Sequence, residues 1–392
     1  MNRPETPAPH LLTGLRRLVA DIRASEAQDA RSLVRSSCEH TELICFAGSG
    51  VCYRGERVDE LARQPLFERI VWLLLNRDLP TDEQLADCSS VAADSAVCEQ
   101  AMSEISERLP VNARPLDLFA FCLSLLKFHD PTPQDSSVEA GRWRVWRVLA
   151  QLPLLLSDAL NGRRDGQQSV AALEPVEKEL TWAGRLLSCI RPAGERPSAA
   201  EDAAMNVLMI CECLTDMRPA CFTARFTASA TNNVVAAVES AATVFVAQLT
   251  RDPFQWTSEL LSGFRDPAHA EAWWRRREGQ PMPFGFVETS DDTRAMILTD
   301  ACRTLLGSTD RIRFEACAAR LESLLLAENC VATTDWAAAR LMTLLDIPAD
   351  RQSAVIGIAR LVGWAAHAVE QQSLRTSLLP SLRYVAPNES AE

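Results

Sequence analysis

The sequence predicts an all-α protein, on three observations. Apolar residues recur at helical spacing almost everywhere, as in Leu66, Ile70, Val71 and Leu74 and again in Leu321, Leu324 and Leu325, the period that lays one helix face on a core. Runs of alternating polar and apolar residues between hairpin turns, the mark of strands, are missing. Proline and glycine gather between the helical segments, at 131–133, 191–197 and 279–283, where they mark loops.

Along the chain, a Pro-rich start leads into one amphipathic helix over residues 11–23. The stretch 42–53 is the only plausible strand material. The most apolar stretch, 226–250, is rich in Ala and Thr and interrupted by Asn232, Asn233 and Glu239. It reads as a core helix rather than a membrane span, and no transmembrane segment is expected. No repeat or low-complexity segment is detected.

A chain of 392 residues can bury one large core and a smaller satellite, so a subunit of two lobes is expected. The net charge is −12, with Arg interspersed among Asp and Glu. Nucleic-acid binding needs a concentrated basic face, so that class of partner is excluded. The thirteen cysteines are an odd number in a long chain, and no signal-peptide pattern opens it at Met1-Asn2-Arg3-Pro4-Glu5. Free thiols in a reducing cytoplasm are therefore expected. Cys211 and Cys213 point to different sides of a helix, with no Cys-x-x-Cys or His pair at ligand spacing, so no metal site is expected.

Two long segments carry a family resemblance. Cys52-Tyr53-Arg54-Gly55-Glu56-Arg57-Val58-Asp59-Glu60-Leu61-Ala62 runs on through Phe67-Glu68 to Leu79-Pro80-Thr81, and the chain closes with Ile358-Ala359-Arg360-Leu361-Val362-Gly363-Trp364-Ala365-Ala366-His367-Ala368-Val369-Glu370-Gln371. The first resembles the Tyr-Arg-Gly motif and following helix of the citrate synthase family, and the second its Ala-Arg…Gly-Trp…Ala-His…Glu-Gln helix. The resemblance implies a large helical dimerisation domain, 42–246 plus 351–392, with a small helical domain, 247–350, inserted in it. Residues 1–41 form an N-terminal segment. It also implies dimers with helices buried between large domains, a role that 203–217 and 226–246 suit.

The family joins an acyl-CoA to a 2-oxo acid such as oxaloacetate. That chemistry needs a base for the methyl proton next to the thioester, donors for the enolate and alkoxide oxygens, and cations for the carboxylates. Thr334-Asp335-Trp336 through Asp346-Ile347-Pro348 resembles the stretch that carries the catalytic Asp, which places Asp335 at the base; as a residue type before an Ala-rich run it also reads as a helix N-cap. Asp292-Thr293-Arg294-Ala295 and the Gly-Trp helix place Arg294 and Arg360 against the oxo acid, where a guanidinium fork suits a carboxylate.

The histidines of the family pattern are replaced. Thr215 takes the column of the oxo-acid-binding His. Thr250, or Arg251 with a one-residue slip, takes the second, and Glu288 the third. Leu379 stands where the family donates an Arg across the dimer. The loops have also lost glycines that let backbone approach CoA. His10, His40, His129, His269 and His367 all read as surface or satisfied core residues.

The resemblance therefore implies a citrate synthase-like protein with lost or much reduced catalysis and a structural or regulatory role, paired with itself or with an active homologue. One alternative is a divergent, alkylcitrate synthase-like acyltransferase using Asp335 as base, with Thr250, Arg251 or Glu288 in place of the donors. The other is a binding module for a di- or tricarboxylate. No tightly bound cofactor is expected, acyl-CoA being at most a co-substrate.

Overall fold

In the computed structural model, which describes residues 40–47, 50–93, 109, 110, 112–161, 180–192, 196–277, 284–288 and 292–379, the chain is built from helices with a few short strands. It opens with β1 (Ile44–Ala47), β2 (Gly50–Tyr53) and β3 (Glu56–Arg57), an antiparallel sheet with β2 in the centre. Helices α1 (Val58–Leu61), α2 (Phe67–Asn76), α3 (Asp82–Ala93), α4 (Pro115–Leu126), α5 (Val138–Asn161), α6 (Trp182–Ile190), α7 (Ala199–Glu212), α8 (Pro219–Thr231) and α9 (Val234–Gln248) follow. Then come α10 (Pro253–Ser262), α11 (Pro267–Arg275), β4 (Phe286–Val287), α12 (Arg294–Thr304), α13 (Thr309–Leu326), β5 (Val331–Ala332), α14 (Thr334–Leu344) and α15 (Gln352–Leu374). The described residues from 42 to 379 belong to one unit. The predicted helix over 11–23 lies outside the described residues.

Several helices begin where a side chain satisfies their free backbone donors. Ser198 and Glu201 close a capping box at the start of α7, Asp252 accepts from Phe254 N and Gln255 N at α10, and Asp266 accepts from His269 N at α11. The stretch 226–250, read as one core helix, is two. Asn232 adopts a left-handed conformation (φ 51°) and ends α8, and Asn233 then caps α9 by accepting from Ala236 N. Asparagine tolerates the first role and favours the second.

At the centre lies α15, buried at every position from Gln352 to Gln372. It packs against α2, α4, α5, α7, α8, α9 and α10. Such an enclosed helix must be apolar all round or have its polar groups matched inside. Here Arg225 of α8 donates to His367 Nδ1 and Gln371 Oε1, both at 3.2 Å, and to Glu370. Glu370 also accepts from Glu42 N at 2.8 Å. Burial, and then the Arg225 cation, push His367 down to about 3, so it is a neutral core imidazole.

Gly363 lets α15 cross the end of α7 closely. A Cβ there would stand 2.3 Å from the Cys213 carbonyl oxygen and 3.2 Å from Leu214 Cα. The segment 203–217, expected between subunits, is instead enclosed within one: from Ala204 to Thr215 every residue is buried. A helix already covered by α2, α6, α12, α14 and α15 has no face left for a partner. The outer faces of α8 and α9 do remain half-open, at Phe222, Phe226, Val235, Ala236 and Val244.

Within 247–350, α10 and α12 pack on α14, and α11 on α13, while β4 pairs with β5 in the register Phe286 to Ala332 and Val287 to Val331. Helices α12 and α14 also reach α7, and α10 reaches α15. The close crossing predicts that Gly363→Ala loses about 1–3 kcal/mol of stability to overpacking. Urea unfolding reads this as a lower midpoint at unchanged slope.

Candidate functional site

The site is built where the end of α7, the loop after it, the start of α14 and the middle of α15 meet. Arg360 projects from α15 between two acids. Its Nη2 lies 2.9 Å from Glu212 Oε2, at the last residue of α7, and 2.7 Å from Asp335 Oδ1, in the first turn of α14. The rings of Phe245 and Phe254 flank its guanidinium at 5.5 and 5.9 Å. Arg218, at the start of α8, stands 3.9 Å from Asp335 Oδ2 with half its side chain in solvent.

The N-cap of α14 is Thr333, and Asp335 lies inside the first turn, where the helix dipole favours an anion. Burial alone would raise the Asp335 carboxyl, but Arg360, followed by Arg218, outweighs it and holds it below the ordinary value. Glu212 goes the other way. Burial dominates and pushes it up, with Arg360 opposing and Asp335 adding to the rise. Its Oε1 and the Nε of Arg360 are buried without a hydrogen-bond partner among the described residues.

Beside this triad is a cavity of about 150 Å³, lined among others by Thr215, Arg218, Phe245, Phe254, Asp335 and Arg360. It is about half the size of a small ordinary ligand site, roughly 300 Å³. Thr215 faces it from a buried position, with its hydroxyl 3.5 Å from Cys221 Sγ. Among the described residues no histidine lines it.

Thr215, Asp335 and Arg360 are thus brought together, and the remaining expected residues are not. Thr250 and Arg251 are exposed in the turn between α9 and α10, and Glu288 is exposed just past β4; none lines the cavity. Short elements that end in solvent give these side chains nothing to hold them inward. Arg294, expected against the oxo acid, is buried and engaged by the protein itself. Its Nε and Nη2 bond Asp292 at 2.8 and 2.6 Å, and its Nη1 bonds the Tyr53 hydroxyl and the carbonyls of Cys211 and Leu214. Asp292 in turn accepts from Thr334 Oγ1 at 2.9 Å, so Arg294 braces the loop and helix start that present Thr215 and Asp335.

Two site residues escaped the sequence reading. Glu212 carried a usable signal, as the only charge in the run from Val207 to Leu214, and a lone acid inside a buried helix requires a cation. Arg218 carried none, being one exposed arginine among many. Among the described residues no cluster of His, Cys, Asp and Glu is suited to a metal ion.

A family model described as citrate synthase, C-terminal domain, matches residues 35–380, and the chain belongs to the citrate synthase family. Among curated relatives, a 2-methylcitrate synthase of Shewanella oneidensis is 25% identical over 87% of this chain and 90% of its own. That of Mycobacterium tuberculosis is 26% identical over 86% and 84%, and citrate synthase 2 of Bacillus subtilis 24% over 86% and 90%. Among solved structures, citrate synthase from Pyrobaculum aerophilum aligns with a TM-score of 0.75 at 19% identity, covering 89% of this chain and 90% of that one. The Thermoplasma acidophilum enzyme, in a ternary complex with carboxymethyl coenzyme A and oxaloacetate, gives 0.74 at 17% over 89% and 93%. These structural likenesses establish the fold.

The shared guanidinium makes a sharp prediction. Arg360→Met strands two inward carboxyls and should cost about 3–5 kcal/mol of stability. Glu212 has its own pH signature. Above about 4.3 the unfolded chain ionises it while the folded chain keeps the proton, so its contribution is full below that value and is lost as pH rises through the raised folded one. Glu212→Gln should remove that fall, read as a flatter dependence of melting temperature on pH above about 4.3.

Proposed function

We propose that this chain is a member of the citrate synthase family in which efficient condensation has been lost, and that it serves as a structural or regulatory subunit with a weak residual site for a small carboxylate. The carrying observation is the Arg360 clamp, with Asp335 at 2.7 Å and Glu212 at 2.9 Å. A carboxylate held below its ordinary value by a guanidinium is a poor acceptor for a proton as weakly acidic as a thioester α-hydrogen. A guanidinium shared by two protein acids is likewise a poor host for a substrate carboxylate.

The positions expected to supply donors add to this. Thr215 offers one neutral hydroxyl to the cavity, and Thr250 and Glu288 face solvent. Losing a single oxyanion donor costs about a hundred- to a thousandfold in rate. With two lobes, 42–246 plus 351–392 and 247–350, closing on the cleft, the reading keeps the family's architecture and its carboxylate pocket without its turnover.

For partnership, the reading assigns the half-open faces of α8 and α9 to a second copy or a homologue. The rings of Phe222 and Phe226 stack there with centroids 6.5 Å apart. Leu379 is exposed where the family pattern has the crossing Arg, so a partner's cleft would receive no cation from this chain.

The test is release of CoA from acetyl-CoA or propionyl-CoA with oxaloacetate. The expected rate is at least about a thousandfold below that of a relative with all its histidines. A turnover number on the order of ten per second would overturn the reading and favour a divergent acyltransferase with Asp335 as base. Strictly monomeric protein, alone and co-expressed with such a relative, would remove the partnership.

A further inference from the structure

Strands β1 and β2 run antiparallel in a register that sets Cys45 directly opposite Cys52. Opposed residues on such a pair project from the same face, with Cα atoms about 4.5 or 5.5 Å apart according to their place in the hydrogen-bond ladder. Both spacings fall within the range, about 4.4–6.8 Å, that a disulfide spans. Cys45 is exposed and Cys52 partly so, whereas every other described cysteine is buried. A solvent-borne reagent therefore meets this pair before any other described thiol.

The surroundings leave the two thiols to each other. Across β3, Cys52 faces Arg57, whose guanidinium is taken by Asp59 at 2.9 and 3.0 Å. Burial first, and then the thiol of Cys45, push Cys52 above its ordinary value, as expected of thiols in close proximity.

We propose that Cys45 and Cys52 form a dithiol modification site that takes a low-molecular-weight disulfide as oxidant and closes to a cross-strand disulfide. The thiolate of the more exposed Cys45 attacks one sulfur of the reagent, giving a mixed disulfide and releasing one thiol. The thiolate of Cys52 then attacks the Cys45 sulfur and releases the second. The protein gives up two protons and two electrons, and the reagent is reduced to two thiols. In a reducing compartment such a bond is transient and responsive rather than structural.

The hairpin also backs the cleft. Phe46, next to Cys45, lies with its ring centre 5.9 Å from the Arg294 guanidinium carbon. Tyr53, next to Cys52, places its hydroxyl 3.1 Å from Arg294 Nη1. Closing the pair ties together the two strands that hold these aromatic supports, so the hairpin's amides should exchange more slowly with solvent in the oxidised protein.

The experiment treats the folded full chain with oxidised glutathione, quenches it in acid, and reads intact mass and a chymotryptic map, in which cleavage after Phe46 separates the two cysteines. The expected result is a loss of two hydrogens, with the fragments bearing Cys45 and Cys52 joined. Cys52→Ser should instead accumulate a glutathione adduct on Cys45. Wild-type protein that stays reduced, or that stops at a stable glutathione adduct, overturns the proposal. So does a cross-link that forms equally well in Cys52→Ser.

Discussion

The arrangement of this subunit turns on one guanidinium. Arg360 is carried into the interior by α15, a helix with no exposed position from Gln352 to Gln372. A cation there requires nearby anions, because an unpaired buried charge costs several kcal/mol. Asp335 supplies the charge from α14 and Glu212 a carboxyl acceptor from α7, and together they fix where α7 and α14 end and begin relative to α15. The same contacts that complete the core occupy the groups from which a condensing enzyme would draw its base and its carboxylate clamp.

A second layer holds that layer in place. Arg294 gathers the Tyr53 hydroxyl, the carbonyls of Cys211 and Leu214, and Asp292, which reaches Thr334 beside Asp335. Gly363 lets α15 approach the Cys213 carbonyl, bringing Arg360 within reach of Glu212. On the far end of the same helix, Arg225 neutralises Glu370, and burial together with Arg225 keeps His367 uncharged. These contacts hold the shape of the cleft.

Much of the fold was legible because its signals are local. Helical periodicity gave the class, and the Tyr53-Arg54-Gly55 and Gly363-Trp364 segments gave the family; of Arg294, Arg360 and Asp335, expected together at the cleft, the structure pairs Arg360 with Asp335 at 2.7 Å and ties Arg294 to Asp292 and Tyr53. What was not legible depends on distance. Nothing near Arg294 in sequence announces that Tyr53 and two carbonyls of the 211–214 turn will use up its donors. The stretch 226–250 read as one helix because the αL turn at Asn232 interrupts an apolar pattern without ending it. Segment 203–217 was apolar enough for a subunit interface, and only packing decides that the subunit's own core covers it. Thr250 and Glu288 matched columns of a pattern, but a column gives no orientation to a side chain in an exposed turn.

The central claim is that Arg360 is neutralised from within and withheld from substrate. Calorimetric titration of oxaloacetate into the wild-type chain and into the double variant Glu212→Gln, Asp335→Asn tests it directly. Releasing the guanidinium should tighten binding by at least about tenfold, or 1.4 kcal/mol. Tight binding by the wild type that weakens in the double variant would contradict the account, because the two acids would then be helping to hold the ligand.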